Sequence, residues 1–539
     1  MRLVLVCLFT IYCACLSCTT WAKNTDLPDI GSSAQRLLTP AQQTQYGALL
    51  LAELRNQHQV IEDPQLGDWL QDIGDTLQSH SNQPNQKFTL FLLNQPEINA
   101  FATLGGYIAV NSGLLLFAQN EDQLAAVLSH EMAHVTQHHL LRSVERAQRD
   151  QIPILLGALA VIAAAQQSHG ASGSNASMAS ISAALGMIAQ RSINFTRENE
   201  SEADRLGIRT LARSGYDPTA MATFFERLQT AMGTKDDTDG IPAYLRSHPL
   251  TSTRISEAKA RAAQMQAQTQ ASVGMMEANE QDQHAMPFAQ GMDNPMLPAQ
   301  FKMNISFLQS RHAMPSYFPW AQERLRVLTA NTPETAIAYY SARNRTVHGQ
   351  LSSAEKYGNA LAHVYAHKDL PQTITLLTSL STVYPSNNWV SIALAQALDA
   401  NGNHVQADSY MHKVLEQNPD QDILRLVYGQ MLNARGTTSS GRQAVDILRP
   451  TLVSHESDPV FQDTFAHACA LAGDNMNAGI AFAIVAYLRG YPERALSQLK
   501  ALRTQTTDYS TRSRIQAYIE TITPVVLDMQ RQGARDPDA

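Results

Sequence analysis

An H-E-x-x-H array inside a helical pattern constrains this chain more than any other stretch of its sequence. His130, Glu131 and His134 lie within residues 122–141, where apolar side chains recur with the period of an α-helix. Residues four apart share one helix face, so both imidazoles can bind one zinc ion. Glu131 lies between them, where it can act as general base on a metal-bound water. The alternative is a charged face on a core helix, with two unrelated histidines.

The length and charge of the chain limit the classes of protein to which it can belong. Its 539 residues exceed one hydrophobic core and predict two to four domains, at roughly 150 residues per domain. The hydrophobic content of 44% is typical of a soluble globular protein. A formal charge of -8 and a pI near 6.1 give no reason to expect nucleic acid as a partner.

The first 22 residues are predicted to be a secretion signal. Arg2 precedes the apolar run of residues 3–16, and the small residues Thr20 and Ala22 favour cleavage near Ala22. The alternatives are an uncleaved anchor, for which the run is short, and a lipoprotein at Cys18. After the signal only Cys469 remains, so an exported chain would contain no internal disulfide.

Two strands are predicted upstream of the motif helix, over Lys87–Leu93 and Tyr107–Asn111. The second strand lies just before the helix, and we expect its open edge to accept an extended substrate chain by β-addition. The alternative is a strand whose edge is covered.

Two apolar segments follow the motif helix, over Ile152–Ala165 and Met178–Ile188, joined by residues rich in Ser, Gly and Ala. The first segment is too short to cross a bilayer. Together the segments predict a helical hairpin beside the site. The hairpin over residues 152–190 is interpreted as a lid, as a peripheral membrane contact or as core.

A second helix begins with a cluster of acidic residues at 198–204. Three glutamates there compete as metal ligands, and Glu200 and Asp204 are four residues apart on one face. One of these two can bind the metal while the other forms a hydrogen bond with a ligating histidine. The alternative is a solvated helix start, which the helix dipole favours.

The C-terminal part of the chain shows a repeat. Prolines at 385, 419, 459 and 492 recur at spacings of 34, 40 and 33 residues. The longest spacing contains an insertion at Gly436–Gly441. A helix-turn-helix period of about 34 residues that ends in proline resembles tetratricopeptide repeats, which form a concave surface for peptide or protein ligands. The final predicted helix, Thr511–Ile522, would close the array.

Several motifs together resemble one peptidase family. They are His130-Glu131-x-x-His134, Glu200-x-x-Ala203-Asp204, His248-Pro249-Leu250-x-x-x-Arg254, Asn99-Ala100-Phe101-Ala102 and Gly105-Gly106-Tyr107-Ile108. The combination resembles the gluzincin metallopeptidases of the prenyl-protein (CAAX) endopeptidase and Oma type, over roughly residues 40–260. With a signal peptide and helical repeats, the chain also resembles the periplasmic β-barrel assembly-enhancing protease type. Thr103-Leu104 departs from the Leu-Pro usual in the family.

This resemblance implies roles for the residues of the motifs. His130, His134 and Glu200 would bind one Zn²⁺ per chain, Glu131 would be the catalytic base, and Asp204 would orient a ligating histidine. Zinc-activated water would attack the peptide carbonyl, with Glu131 taking its proton and passing it to the leaving amine.

Two further residues of the motifs have open roles. His248 or Arg254 could hold the developing oxyanion. His248 could instead be a fourth, regulatory ligand that leaves the enzyme latent. His139 matches the family pattern without an assigned role.

The predicted fold class is mainly α: an α+β gluzincin metalloprotease domain with a small sheet, followed by an α-solenoid of tetratricopeptide-like repeats. The predicted divisions are a signal peptide (1–22), the metallopeptidase domain (23–260), a linker (261–304) and the repeat domain (305–539). The resemblance implies a periplasmic zinc metalloendopeptidase, also chaperone-like, in quality control and assembly of outer-membrane β-barrel proteins. Its substrates would be misfolded or stalled outer-membrane proteins, and the β-barrel assembly machinery would be a partner. The alternative is a repeat-based chaperone or adaptor with a silent or structural zinc site.

Overall fold

A computed structural model of the chain describes residues 38–146, 197–233, 242–281 and 316–531. The segments predicted as a signal peptide (1–22) and as a helical hairpin (152–190) lie outside the described residues. Helices dominate the rest, which confirms the prediction of a mainly α fold.

The N-terminal elements alternate helices with short strands. They are α1 (Pro40–Asn56), α2 (Pro64–Ser79), β1 (Thr89–Leu93), β2 (Ala100–Ala102), β3 (Tyr107–Asn111), α3 (Ser112–Phe117) and α4 (Glu121–Thr136). Short polar side chains occupy the N-cap positions of α2 and α4. Asp63 caps α2 by accepting from the Leu66 backbone N–H, and Asn120 caps α4 by accepting from that of Gln123, both at 3.0 Å.

The strands form a three-stranded sheet within the described residues, in the order β1-β3-β2. β3 pairs with β1 in parallel and with β2 antiparallel. The bounds predicted for the second strand, Tyr107–Asn111, agree with β3. The expectation that this strand offers an open edge is wrong, because both of its edges are already paired. β2, of three residues, is the outer strand next to it.

The motif helix is shorter than predicted. The pattern indicated one helix over residues 122–141, but α4 ends at Thr136 and α5 (His139–Arg146) begins after a break. His138 adopts a left-handed backbone with φ of 52°, which interrupts the helical hydrogen bonds. As a result, His139 leaves the line of α4.

The described residues of the N-terminal half contain four more helices: α6 (Arg197–Arg213), α7 (Ala220–Gly233), α8 (Ala243–Ser247) and α9 (Ser252–Gln281). Helix α6 packs closely along α4. The close approach depends on Gly207, because a Cβ atom there would lie 3.2 Å from the His130 backbone nitrogen. α9 continues without interruption into residues 261–281, which the sequence suggested as the start of a linker.

The C-terminal half is an array of helices: α10 (Phe318–Leu328), α11 (Pro333–Thr346), α12 (Ser353–Ala366), α13 (Leu370–Val383), α14 (Asn388–Ala400), α15 (His404–Gln417), α16 (Asp422–Ala434), α17 (Thr438–Leu448), α18 (Pro459–Ala472), α19 (Asn475–Leu488), α20 (Pro492–Gln505) and α21 (Tyr509–Arg531). Each packs against the next, and α10, α12, α14, α16 and α18 also stack in series. Stacked helical pairs of this kind are typical of solenoids. α21 extends nine residues beyond the predicted end at Ile522.

The two halves share buried contacts. Trp69 of α2 packs on Phe318 of α10, with ring centroids 6.2 Å apart. Arg324 of α10 is 3% exposed and donates to both carboxylate oxygens of Asp63, at 2.8 and 2.6 Å. The two halves therefore share one large apolar cluster, and smaller separate clusters lie elsewhere in the described residues. No helix in those residues is both long enough and apolar enough to cross a bilayer.

Candidate metal centre

The three motif residues of α4 are buried at its C-terminal half. His130 is 0% exposed, Glu131 1% and His134 6%. The helical spacing brings the Nε2 atoms of the two histidines to 3.0 Å from each other. The sequence predicted that His130 and His134 share one face of the helix, and both imidazoles lie on one face of α4.

Helix α6 brings Glu200 to the same point. Its Oε2 lies 3.5 Å from Nε2 of His130, and its Oε1 lies 3.4 Å from Nε2 of His134. Glu200 is 2% exposed. A buried carboxylate thus faces both imidazoles from a helix far away in sequence.

His248, directly after α8, completes the cluster. Its Nδ1 lies 3.3 Å from Nε2 of His130 and 3.1 Å from Oε1 of Glu200. The ring of Tyr244 stacks on it, with centroids 4.8 Å apart. One ligand atom from each of His130, His134, Glu200 and His248 lies within 4.8 Å of the others.

The donor set fits a zinc ion. Three imidazole nitrogens and one carboxylate oxygen are ligand types that zinc prefers, and four ligands suit its tetrahedral geometry. The Nε2 atoms of His130 and His134 face each other at 3.0 Å. If both rings are neutral and both Nε2 atoms carry lone pairs, the two nitrogens repel each other. A cation bound to both nitrogens removes that repulsion.

Glu131 lies beside this cluster with one oxygen fixed and one available. Its Oε2 accepts from the backbone N–H of Ala102, the last residue of β2, at 3.2 Å. Its Oε1 is buried and has no hydrogen-bond donor among the described residues, although Nε2 of His248 lies 3.4 Å away. Burial raises the pKa of Glu131 above its ordinary value. A carboxylate held in this way can accept a proton on Oε1.

Asp204 supports His130 from behind. Its Oδ1 lies 2.9 Å from Nδ1 of His130, and Arg254 donates to both of its oxygens. Burial alone would raise the pKa of Asp204, but the hydrogen bonds and charge of Arg254 hold it below its ordinary value. Asp204 therefore stays ionised, and an ionised partner at Nδ1 directs the lone pair of Nε2 towards the ligands.

All seven residues singled out in the sequence lie in this centre: Glu131, Asp204, His130, His134, Glu200, His248 and Arg254. Sequence reasoning missed Tyr244. It included Ala102 in a motif and Glu202 among the competing glutamates, but it predicted the contacts of neither, and it left His139 without a role. His139 could not be found by helical spacing, because α4 ends before it. Its Nδ1 lies 2.9 Å from Nδ1 of His134.

Comparisons with known proteins agree with this geometry. Residues 64–262 match the profile of Peptidase family M48. A Yersinia pestis protein named "Beta-barrel assembly-enhancing protease" is 31% identical over 453 residues, which cover 83% of this chain and 81% of that protein.

Two further relatives match over a shorter region. A Vibrio cholerae protein named "Putative beta-barrel assembly-enhancing protease" is 40% identical over 263 residues, 47% of this chain and 52% of that protein. An Escherichia coli (strain K12) protein named "Beta-barrel assembly-enhancing protease" is 41% identical over 241 residues, 44% of this chain and 47% of that protein. The match with these two relatives spans only about half of their length.

Proposed function

The chain belongs to peptidase family M48, and from this premise we propose that it is a zinc metalloendopeptidase. Members of the family use zinc, and the cluster of His130, His134, Glu200 and His248 could hold such an ion in this chain. The single observation that carries the proposal is the position of Glu131, whose available Oε1 borders that cluster. A purely structural zinc site would have no need of a buried base beside it.

The proposed chemistry assigns one task to each side chain. His130, His134 and Glu200 hold the metal. When bound, zinc supplies Lewis-acid chemistry, which lowers the pKa of a water and polarises a carbonyl. Oε1 of Glu131 accepts a proton from the attacking water, and Glu131 then delivers this proton to the leaving amine. The backbone N–H of Ala102 donates to Oε2 and holds the carboxylate in place.

His248 is proposed as a fourth, regulatory ligand. Its Nδ1 is close to both His130 and Glu200, which supports ligation and a latent enzyme. The other prediction, in which His248 holds the oxyanion, would require its ring to leave those contacts.

Arg254 orients Asp204 in this proposal. It is 6% exposed, and its described acceptors are Asp204, Glu200 and the carbonyl of Pro249. The sequence-based prediction that Arg254 contacts a substrate or an oxyanion would require it to exchange one of these partners.

The biological setting is also part of the proposal. The relatives are named for β-barrel assembly, which supports a periplasmic enzyme with a signal peptide cleaved near Ala22. Misfolded or stalled outer-membrane proteins would be its substrates, and the β-barrel assembly machinery its partner. The stacked helices of the C-terminal half support tetratricopeptide-like repeats that receive such clients.

The test is metal content and casein cleavage for the mature chain (residues 23–539) beside Glu131→Gln and His248→Ala. We expect one zinc per chain, retained zinc in Glu131→Gln, and a loss of cleavage of about 10²–10⁴-fold in that variant. His248→Ala should cleave faster than the wild type.

Other outcomes would change the proposal. Zinc without cleavage in either the wild type or His248→Ala would favour a repeat-based chaperone or adaptor. Client maturation that continues in Glu131→Gln would support a chaperone role beside or instead of proteolysis. A chain without zinc would refute the proposed function.

A further inference from the structure

His139 is buried directly behind a metal-site histidine. Its side chain is 0% exposed, and its Nδ1 lies 2.9 Å from Nδ1 of His134. On the other side of the ring, Nε2 lies 3.2 Å from Oε2 of Glu202. The order of contacts is therefore His134, His139, Glu202, and it runs from the metal cluster outward.

The contacts along this row of three side chains, His134, His139 and Glu202, indicate which ring nitrogen carries each proton. Two ring nitrogens 2.9 Å apart form a hydrogen bond only when one donates and the other accepts. His134 directs its Nε2 at Glu200 and His130, so that nitrogen holds the lone pair and its Nδ1 carries the proton. His139 then accepts on Nδ1 and carries its own proton on Nε2, where the Glu202 carboxylate accepts it.

We propose that His139 and Glu202 are positioning residues that fix the tautomer and ring orientation of His134 for zinc binding. The inference rests on the proposed function, because it takes His134 as a metal ligand. A hydrogen-bond acceptor at the distal nitrogen keeps a ligating imidazole oriented and increases its basicity. The row supplies such an acceptor to His134, as Asp204 does to His130.

The supports of the two histidines differ in kind. The partner of His130 is the Asp204 carboxylate, which is 1% exposed and is paired with the positive charge of Arg254. The partner of His134 is the neutral ring of His139. The partner of His139 is Glu202, whose side chain is 31% exposed. Glu202 also lies 3.5 Å from Arg142 and 3.7 Å from Arg205, so this row ends at the protein surface.

The row also joins three helices. His134 belongs to α4, His139 begins α5, and Glu202 lies on α6. The left-handed residue His138 turns the chain so that the ring of His139 comes back against α4. The direct support of His134 therefore includes a residue of α5, whereas that of His130 comes from Asp204 on α6, which Arg254 on α9 holds in place.

The experiment uses the mature full-length chain and the variants His139→Phe, His139→Asn and Glu202→Ala. Phe fills the space without an acceptor, whereas the Asn side-chain oxygen can occupy the position of Nδ1. Glu198→Gln is the matched control, since Glu198 is an exposed acid at the same end of α6. Zinc affinity is measured by competition with a chelator, and the visible spectrum of the Co²⁺-substituted protein reports the ligand geometry.

We expect His139→Phe to weaken zinc binding about 10- to 100-fold and to change the Co²⁺ spectrum. His139→Asn should recover part of the affinity, and Glu202→Ala should lose less than His139→Phe because its site is partly solvated. Glu198→Gln should match the wild type. The thermal midpoint of each zinc-free variant separates poor folding from poor metal binding.

Two results would overturn the inference while leaving the proposed function intact. One is wild-type zinc affinity and Co²⁺ spectrum in His139→Phe and Glu202→Ala. The other is equal weakening in His139→Asn and His139→Phe, which would indicate a role in packing alone. A wild-type chain that binds no zinc would instead refute the proposed function itself.

Discussion

Arg254 donates two hydrogen bonds, each 2.8 Å long, to the two carboxylate oxygens of Asp204. The pair is buried, and Asp204 also faces His130 at 2.9 Å. A bidentate guanidinium–carboxylate pair is among the stronger hydrogen-bonded contacts in proteins. In this chain it joins α6 to α9 and places a negative charge behind a metal-site histidine.

The first prediction concerns that charge. Asp204→Asn keeps the size of the side chain but removes the anion that polarises His130 and balances Arg254. We expect zinc affinity to fall about 10- to 100-fold, and chelator competition measures it. Asp528→Asn is the control, because Asp528 also pairs with an arginine, Arg531, but on the surface. Equal zinc affinity in Asp204→Asn and the wild type would contradict the assigned role.

A second prediction concerns the spacing of α4 and α6. A Cβ atom at Gly207 would lie 3.1 Å from Cε of Met221 and 3.2–3.3 Å from backbone atoms of His130. Gly207→Ala should therefore move α6 away from α4 and cost about 1–3 kcal/mol of stability. Because Glu200 and Asp204 are on α6, zinc affinity should fall as well.

Gly67→Ala provides the matched control for the Gly207 variant. Gly67 lies within α2, and a Cβ atom there meets nothing within 4 Å. That substitution should increase the free energy of unfolding by about 0.5–1 kcal/mol and so raise the thermal midpoint, because alanine favours a helix more than glycine does. An unchanged thermal midpoint and zinc affinity in Gly207→Ala would show that the two helices do not need this contact.

A third prediction concerns the buried pair of Asp63 and Arg324. Burial alone would lower the pKa of Arg324, but the Asp63 carboxylate raises it above its ordinary value, so the guanidinium stays charged. Asp63→Ala would leave this charge buried without its main partner and would also remove the cap of α2. We expect a loss of about 3–5 kcal/mol in urea unfolding.

The double variant Asp63→Ala with Arg324→Met tests the reason for that loss. It should recover part of the stability, because no buried charge remains unpaired. If the double variant is less stable than Asp63→Ala alone, the buried charge is not the cause.

The fourth prediction is a pH dependence at the contact of α2 with the C-terminal helices. Partial desolvation by the neighbouring protein, with repulsion from Asp72, raises the pKa of Asp68 from 3.8 to about 6. Asp422 and Asp458 of the C-terminal half add to the repulsion, whereas His455 opposes it. The folded chain thus binds this proton more tightly than the unfolded chain, so stability falls as pH rises from about 4 to about 6.

Asp68→Asn removes this titration. At pH 7 the variant should have the higher thermal midpoint, and the difference should disappear below about pH 4. Asp68 is only partly desolvated and still contacts solvent, so we expect the gain to stay below about 1 kcal/mol. An advantage that is the same at pH 4 and pH 7 would contradict the assignment of the effect to this carboxylate.

Local patterns in the sequence predicted the parts of the site that depend on local geometry. A spacing of four residues brings His130 and His134 together, and a short apolar run predicts the strand Tyr107–Asn111. The sequence motif also pointed to Glu200 and Asp204, but residue spacing alone could not decide which of them faces the metal. That choice depends on the packing of α6 against α4.

The remaining features depend on contacts that no local pattern reports. The edges of β3 are covered because β1 and β2 flank it, and strand pairing is decided by the whole fold. The helix over residues 122–141 was predicted to be continuous, because the apolar period persists across the break at His138. The bond between Arg254 and Asp204 joins residues 50 positions apart.

Because the largest apolar cluster contains side chains from both halves, neither half could be exchanged for that of a relative without disturbing the other. Buried side chains of α2, such as Trp69, and of the C-terminal helices, such as Trp320 and Phe461, belong to one cluster, whereas Ile515 and Ile522 of α21 belong to another. A fragment that ended at Gln281 would expose the surface that α10 now covers. Recombination could therefore exchange the distal end of the array more readily than the helices nearest the metal site.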